Sequence, residues 1–166
     1  MNVNILILTF ELENIETEKK KVEKYMPRVC QKFGDKTMIE IAIETCLKMN
    51  PDRIILYVYK NNIEHINKII KRKPYHKIIS YCMLNYLDKL KYKNLLVIPG
   101  NAPLLTVRTL NRIIGQGRDI KINNSLFYLK EGNIKDILDM SVTKEFLIFQ
   151  TEINKIENEN DLKKMI

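Results

Sequence analysis

A chain of 166 residues can bury one continuous core and is too short for an independent second one, so a single domain spanning 1–166 is expected. The formal net charge of +8 suits nucleotides, nucleic acid and other phosphorylated partners, and singles out none of them. Part of that charge belongs to a general excess of Asn, Lys and Ile of the kind an AT-rich genome produces, and no apolar run approaches the length of a membrane span, so a soluble protein with no membrane partner is expected.

In chain order, Val3 to Phe10 is a short, almost wholly apolar run, as expected of a strand buried on both faces. It lacks the basic start and small-residue end of a signal peptide, and the chain turns highly charged by Glu11. Arg53 to Tyr59, Lys77 to Tyr81 and Asn94 to Ile98 read as three more such strands. Between them lie helical patterns. Thr37 to Met49 places Ile39, Ala42, Ile43, Cys46 and Leu47 at helical spacing, opens on a Thr37–Glu40 capping box and ends at Asn50-Pro51. Asn62 to Arg72 is a second helix, and Thr106 to Ile114 a third, capped by Thr106. Beyond Gly117 the pattern predicts strands at Ser125 to Leu129 and Glu145 to Phe149, and helices at Ile134 to Met140 and Asn160 to Ile166.

Strands alternating with helices imply an α/β fold, a mostly parallel twisted sheet in a three-layer arrangement with helices on both faces. In such a sheet ligands bind at the carboxyl ends of the strands, which directs attention to the segments after Phe10, Tyr59, Tyr81 and Ile98. Two basic runs, Lys19 to Lys21 and Lys68, Lys71, Arg72 and Lys73, fall on segments that read as exposed helix surface. They carry no interleaved aromatics, so a nucleic-acid track is disfavoured although the charge alone does not exclude one. Cys30, Cys46 and Cys82 are odd in number, far apart and without a C-x-x-C pair, which points to a reducing, cytoplasmic compartment and no disulfide framework. His65 and His76 have no cysteine near them in sequence, so a zinc site is not expected.

Three stretches carry a resemblance. LLVIPGNAPLLTVRTLNRII runs from an apolar strand through Gly-Asn-x-Pro-Leu into a Thr-capped helix; YMPRVCQKFGDKTMIEIAIETC offers a Pro-Arg segment, a short strand, a Gly-bearing turn and a helix; INKIENENDLKKMI offers an Asn-bearing turn before a terminal helix. In this order they resemble the sugar-nucleotidyltransferase family, whose fold is Rossmann-like, and most closely its N-acetylglucosamine-1-phosphate uridyltransferase domain. The resemblance implies transfer of a nucleotidyl group to a sugar 1-phosphate, with Mg²⁺ as cofactor, in which the protein aligns and neutralises phosphates rather than supplying a covalent nucleophile. It puts Arg28 where the family has its phosphate-binding Lys, Asn101 where it has a metal-binding Asp, Glu157 at the second metal ligand, and Gly100 in the phosphate-side loop.

The chain also departs from that pattern. After Phe10 it reads ELENIETEKKKVEKYM, with no glycine to let backbone N–H groups cradle a triphosphate, so Lys19, Lys20 and Lys21 would have to supply charge instead. Asn101 keeps an oxygen but loses a negative charge beside the cation, which weakens Mg²⁺ binding. Arg28 remains cationic and well shaped for phosphate. Only a few dozen residues separate Asn101 from the closing turn, where the family inserts a sugar-binding subdomain, so an acceptor pocket is not expected, and SYCMLNYLDKL holds no counterpart of the family's base-recognising Gln and Gly-Thr segment.

The residues also have plainer roles: Asn101 as a turn former, Pro99, Gly100 and Pro103 as turn-shaping, Arg28 as an ordinary surface arginine, and Glu157 with Asn158 as caps of the last helix. The expectation is therefore a reduced nucleotidyltransferase that binds a nucleotide or sugar nucleotide with weak or lost catalysis; the alternative is a noncatalytic protein-interaction or regulatory module that kept the fold. Either way, the loop leaving Ile98 should open onto the cleft that holds Arg28.

Overall fold

The structure, a computed structural model, describes residues 2–10, 27–60, 62–83, 91–122 and 126–132. Its elements are β1 (Asn4–Leu8), β2 (Lys32–Phe33), β3 (Lys36–Thr37), α1 (Met38–Leu47), β4 (Arg53–Val58), α2 (Ile63–Ile70), β5 (Ile79–Met83), β6 (Tyr92–Pro99), α3 (Val107–Gly115), β7 (Ile120–Ile122) and β8 (Leu126–Gly132). Six strands form one sheet in the order β5-β4-β1-β6-β8-β7. The first four are mutually parallel; β8 runs antiparallel to both β6 and β7. β2 and β3 make a separate small hairpin, with Gly34 in the left-handed region at φ 72° in its turn.

Alternation along the strands sorts their side chains into two cores. Ile5, Ile7, Ile54, Leu56, Val58, Leu96 and Ile98 share one face with the inward residues of all three described helices: Ile39, Ile43 and Cys46 of α1, Ile66 and Ile70 of α2, and Leu110, Ile113 and Ile114 of α3. Leu6, Leu8, Ile55, Tyr57, Leu95, Val97, Phe127 and Leu129 form a second core on the opposite face. Burial on both faces is why these strands read as continuous apolar runs. The helices expected at 134–140 and 160–166 and the strand expected at 145–149 lie outside the described residues.

Boundaries differ from the sequence reading where local hydrogen bonding takes over. β5 starts at Ile79 rather than Lys77, because the chain after Pro74 closes into a 3₁₀ turn in which His76 N–H donates to Lys73 O and Ile78 N–H to Tyr75 O. β7, three residues with a lysine in the middle, gives too short an apolar signal to be predicted.

Thr37 caps α1 as expected: its hydroxyl accepts the Glu40 N–H at 3.3 Å and donates to Glu40 Oε1 at 3.0 Å. Glu40 also pairs with Lys73 at 2.8 Å, tying α1 to the segment after α2. Burial alone would raise the Glu40 pKa, but the bonds from Lys73 and Thr37 outweigh it and hold the carboxyl below its ordinary 4.5. A carboxyl whose folded pKa is depressed stabilises the fold above its unfolded pKa, and that contribution disappears as pH falls through the folded value. Glu40→Gln should therefore lose less thermal stability than wild type on acidification from about pH 5 to about pH 3. Superimposable acid profiles of the two proteins would show that the pair contributes nothing.

Candidate functional site

From β1 the chain steps outward to β4 and then β5, and crosses back to lay β6 on the other side of β1. In a sheet of this order the ligand crevice is expected between the carboxyl ends of β1 and β6. Its rim is Leu8, Thr9 and Phe10 on one side and Pro99, Gly100 and Asn101 on the other. Among the described residues no helix is long and apolar enough to cross a membrane.

Gly100 closes the floor of this crevice. Its N–H donates to Leu8 O at 2.8 Å. A Cβ at position 100 would stand 2.8 Å from that same oxygen, 3.0 Å from Val29 Cγ1 and 3.3 Å from Ile7 Cγ2. Glycine is required here by close approach, and its N–H is committed to Leu8 rather than spare for a phosphate. Val29 belongs to the 3₁₀ turn Arg28–Cys30, so the segment that carries Arg28 lies against the loop that carries Asn101. Arg28 is half-buried and its Nη1 donates to Gln31 Oε1 at 2.8 Å; Gln31 O in turn accepts the Met38 N–H at 2.9 Å, fixing the turn to the start of α1. Asn101 is buried in its loop. The structure thus brings together the segments of Arg28, Gly100 and Asn101; Lys19, Lys20, Lys21 and Glu157 lie outside the described residues.

Sequence reasoning missed the buried polar network on the β1–β4 side of the rim. Asn62, wholly buried, donates from Nδ2 to Thr9 Oγ1 at 2.7 Å and accepts the Tyr59 N–H on Oδ1 at 3.0 Å, while Thr9 Oγ1 donates to Tyr57 O at 2.5 Å. Beside it the Phe10 ring packs on Tyr57 and edge-on to Tyr59, with centroids 4.9 and 5.3 Å apart. Asn62 has a local signal, an amide before a helix, but nothing in its sequence neighbourhood reveals Thr9.

The three cysteine thiols are not poised as nucleophiles. Burial pushes the Cys30 thiol up to about 12 and also raises those of Cys46 and Cys82, so none is a ready thiolate. Among the described residues no three His, Cys, Asp or Glu side chains gather as a metal site. An amide at position 101 does not by itself make a site for Mg²⁺, an ion bound through carboxylates and substrate phosphates. Lys68, Lys71 and Arg72 project from the last turn of α2 and just beyond it, at the end of the sheet opposite the crevice, and Lys73 is taken up by Glu40.

No family model matches the chain. The bifunctional protein GlmU of Prochlorococcus marinus is 24% identical over 147 residues, covering 81% of this chain and 31% of that protein, so the chain spans about a third of the relative's length. Among solved structures, Rv0371c of Mycobacterium tuberculosis superposes with a TM-score of 0.61 at 8% identity, covering 99% of this chain and 97% of its own. The 4-diphosphocytidyl-2C-methyl-D-erythritol synthase of Anaerococcus prevotii does so with a TM-score of 0.59 at 14% identity, covering 98% and 95%. Rv0371c solved in complex with manganese gives 0.59 at 10% identity, covering 99% and 97%. At these identities the structural likeness concerns the fold: the chain has a nucleotidyltransferase-like, Rossmann-like α/β fold, in agreement with the resemblance in its sequence.

Proposed function

We propose that the chain binds a nucleotide or sugar nucleotide across the carboxyl ends of β1 and β6, with Arg28 on the phosphates and Asn101 against the ligand, and that its catalysis is weak or lost. The observation that supports this reading is the packing of Gly100 on Leu8 and Val29, which sets the Arg28 turn beside the Asn101 loop at the carboxyl ends of β1 and β6. A guanidinium presents a fork of donors that matches phosphate oxygens, which suits Arg28 to this position. The similarity to GlmU supports the ligand class. Transfer of a nucleotidyl group depends on fixing and neutralising phosphates. The glycine-free sequence after Phe10 and the amide at position 101 both reduce that capacity while leaving an arginine able to bind.

Thermal unfolding with UTP and UDP-N-acetylglucosamine, each with and without Mg²⁺, tests this. Ligand at a hundred times its dissociation constant adds about 2.7 kcal/mol, a rise of roughly 5–10 °C for a chain of this size. Arg28→Glu should abolish the rise while leaving the unliganded midpoint within about 2 °C, since exposed and half-exposed charge changes cost little. A rise of unchanged size in the variant would remove Arg28 from the site. No rise with any nucleotide would favour the noncatalytic interaction module, and pyrophosphate release with a sugar 1-phosphate would overturn the loss of catalysis.

A further inference from the structure

The stretch that joins α2 to β5 concentrates one sign of charge. Between Glu64 and Asp88 the sequence has no acidic residue, and it has five Lys or Arg side chains. Lys73 is taken up by Glu40, whereas Lys71, Arg72 and Lys77 are exposed. Backbone bonds from Lys73 N–H to Ile70 O, His76 N–H to Lys73 O and Ile78 N–H to Tyr75 O fold the stretch into consecutive turns, so these cations gather at the amino ends of β4 and β5. Ile54 pairs with Ile79, which sets Arg53, also exposed, one step further along and beside Ile78. Asp52 is the acid that adjoins them, and it leaves the group positive.

Ile78 stands among these cations with 58% of its surface exposed, the large hydrophobic side chain left in water among the described residues. By itself such an isoleucine is ordinary. Lys71 and Arg72 also have a plain role, since they follow the C-terminus of α2, where positive charge offsets the helix dipole. That role does not reach Arg53 or Lys77, which belong to β4 and to the 3₁₀ turn before β5. An apolar centre inside a charged margin is the build of a protein-binding surface. A phosphate backbone would use the charge and leave Ile78 idle, and Tyr75 and Tyr81 are packed against the helical core rather than offered to bases. A second copy of this chain is disfavoured, because a twofold axis through the patch would set cation against cation.

We propose that this patch, at the end of the sheet opposite the crevice, docks an acidic segment of a partner protein, with an apolar side chain of that segment seated on Ile78 and its carboxylates on Arg53, Lys71, Arg72 and Lys77. It does not depend on the nucleotide reading. Attraction between opposite charges speeds encounter and selects acidic partners. Contact on Ile78 removes apolar surface from water and tells such a segment from a purely charged one.

The test titrates full-length wild type, Ile78→Ser, Lys77→Glu and Arg28→Glu with a fluorescent acidic peptide in which glutamates flank a leucine, with its all-glutamate counterpart, and with a DNA duplex, reading anisotropy at low salt. Wild type should bind the leucine peptide, and bind the all-glutamate peptide about fivefold more weakly. Ile78→Ser should bind both peptides alike, and Lys77→Glu should bind the leucine peptide about tenfold more weakly than wild type. Arg28→Glu, changed at the other end of the sheet, should match wild type to within about twofold. The Ile78 and Lys77 variants should melt within about 2 °C of wild type, as exposed substitutions do. No binding of the leucine peptide by wild type overturns the proposal, as does equal affinity of wild type and Ile78→Ser for it. Binding lost in Arg28→Glu and kept in Lys77→Glu would move the peptide to the crevice and overturn it too. A DNA duplex bound more tightly than the leucine peptide, released by Lys77→Glu and unaffected by Ile78→Ser, would make the surface a nucleic-acid track instead.

Discussion

Gly100→Ala should lower the melting temperature by roughly 4–10 °C and weaken whatever binds at the crevice. The added methyl would stand 2.8 Å from Leu8 O and 3.0 Å from Val29 Cγ1, and the first of these neighbours is backbone, which cannot rotate aside. Relief requires the β6 loop to lift away from β1, stretching the Gly100 N–H bond to Leu8, or the Arg28–Cys30 turn to retreat from the rim. Overpacking of this kind costs about 1–3 kcal/mol, and each kcal/mol is worth roughly 2–4 °C at this length. Gly115 provides the control. It ends α3 with a negative φ and open space where an alanine methyl would go, nothing lying within 4 Å, so Gly115→Ala should be neutral or stabilising by about 0.4–1 kcal/mol. Equal melting temperatures for the two variants would show that close approach at position 100 is not required.

Asn62→Ala should destabilise by about 2–3 kcal/mol, because it removes a fully buried amide and two of the hydrogen bonds it makes. The Tyr59 N–H loses its acceptor and Thr9 Oγ1 loses its donor, while the Thr9 bond to Tyr57 O survives on its own. If the three groups act as one network, the double variant with Thr9→Val should lose less than the sum of the single losses. Strict additivity in chemical denaturation would mean that Asn62 and Thr9 stabilise the ends of β1 and β4 independently.

Much of the fold is legible in the sequence because its signals are local. Apolar runs bounded by turns mark the four parallel strands, and helical spacing with Thr37 and Thr106 as caps marks α1 and α3 nearly to the residue. β7 escapes since three residues, one of them Lys121, carry no period, and the start of β5 escapes because a 3₁₀ turn continues the same apolar and basic composition. For the site, Gly100 looks turn-shaping from its neighbours alone, whereas the physical demand on it comes from Leu8 and Val29, distant in sequence. Thr9 and Asn62, 53 residues apart, meet only because β1 and β4 pair, so no local pattern could join them. The Arg28 and Asn101 segments are brought to one place by strand order, which the motifs, taken in sequence, anticipate.

The same strand order governs when the crevice can exist. Asn4 at the start of β1 donates its amide to Lys93 at the start of β6, 89 residues later, and the proposed binding place lies between the far ends of these two strands. Contacts so distant along the chain close a long loop before they return any stabilisation, which is slow compared with forming α1 or the β2–β3 hairpin. During synthesis, a chain that has emerged only as far as β5 can align β5, β4 and β1, yet it offers a ligand one bank and no opposite shore. A small molecule that recognises the crevice therefore acts on the completed sheet alone, and has nothing to hold until β6 has docked.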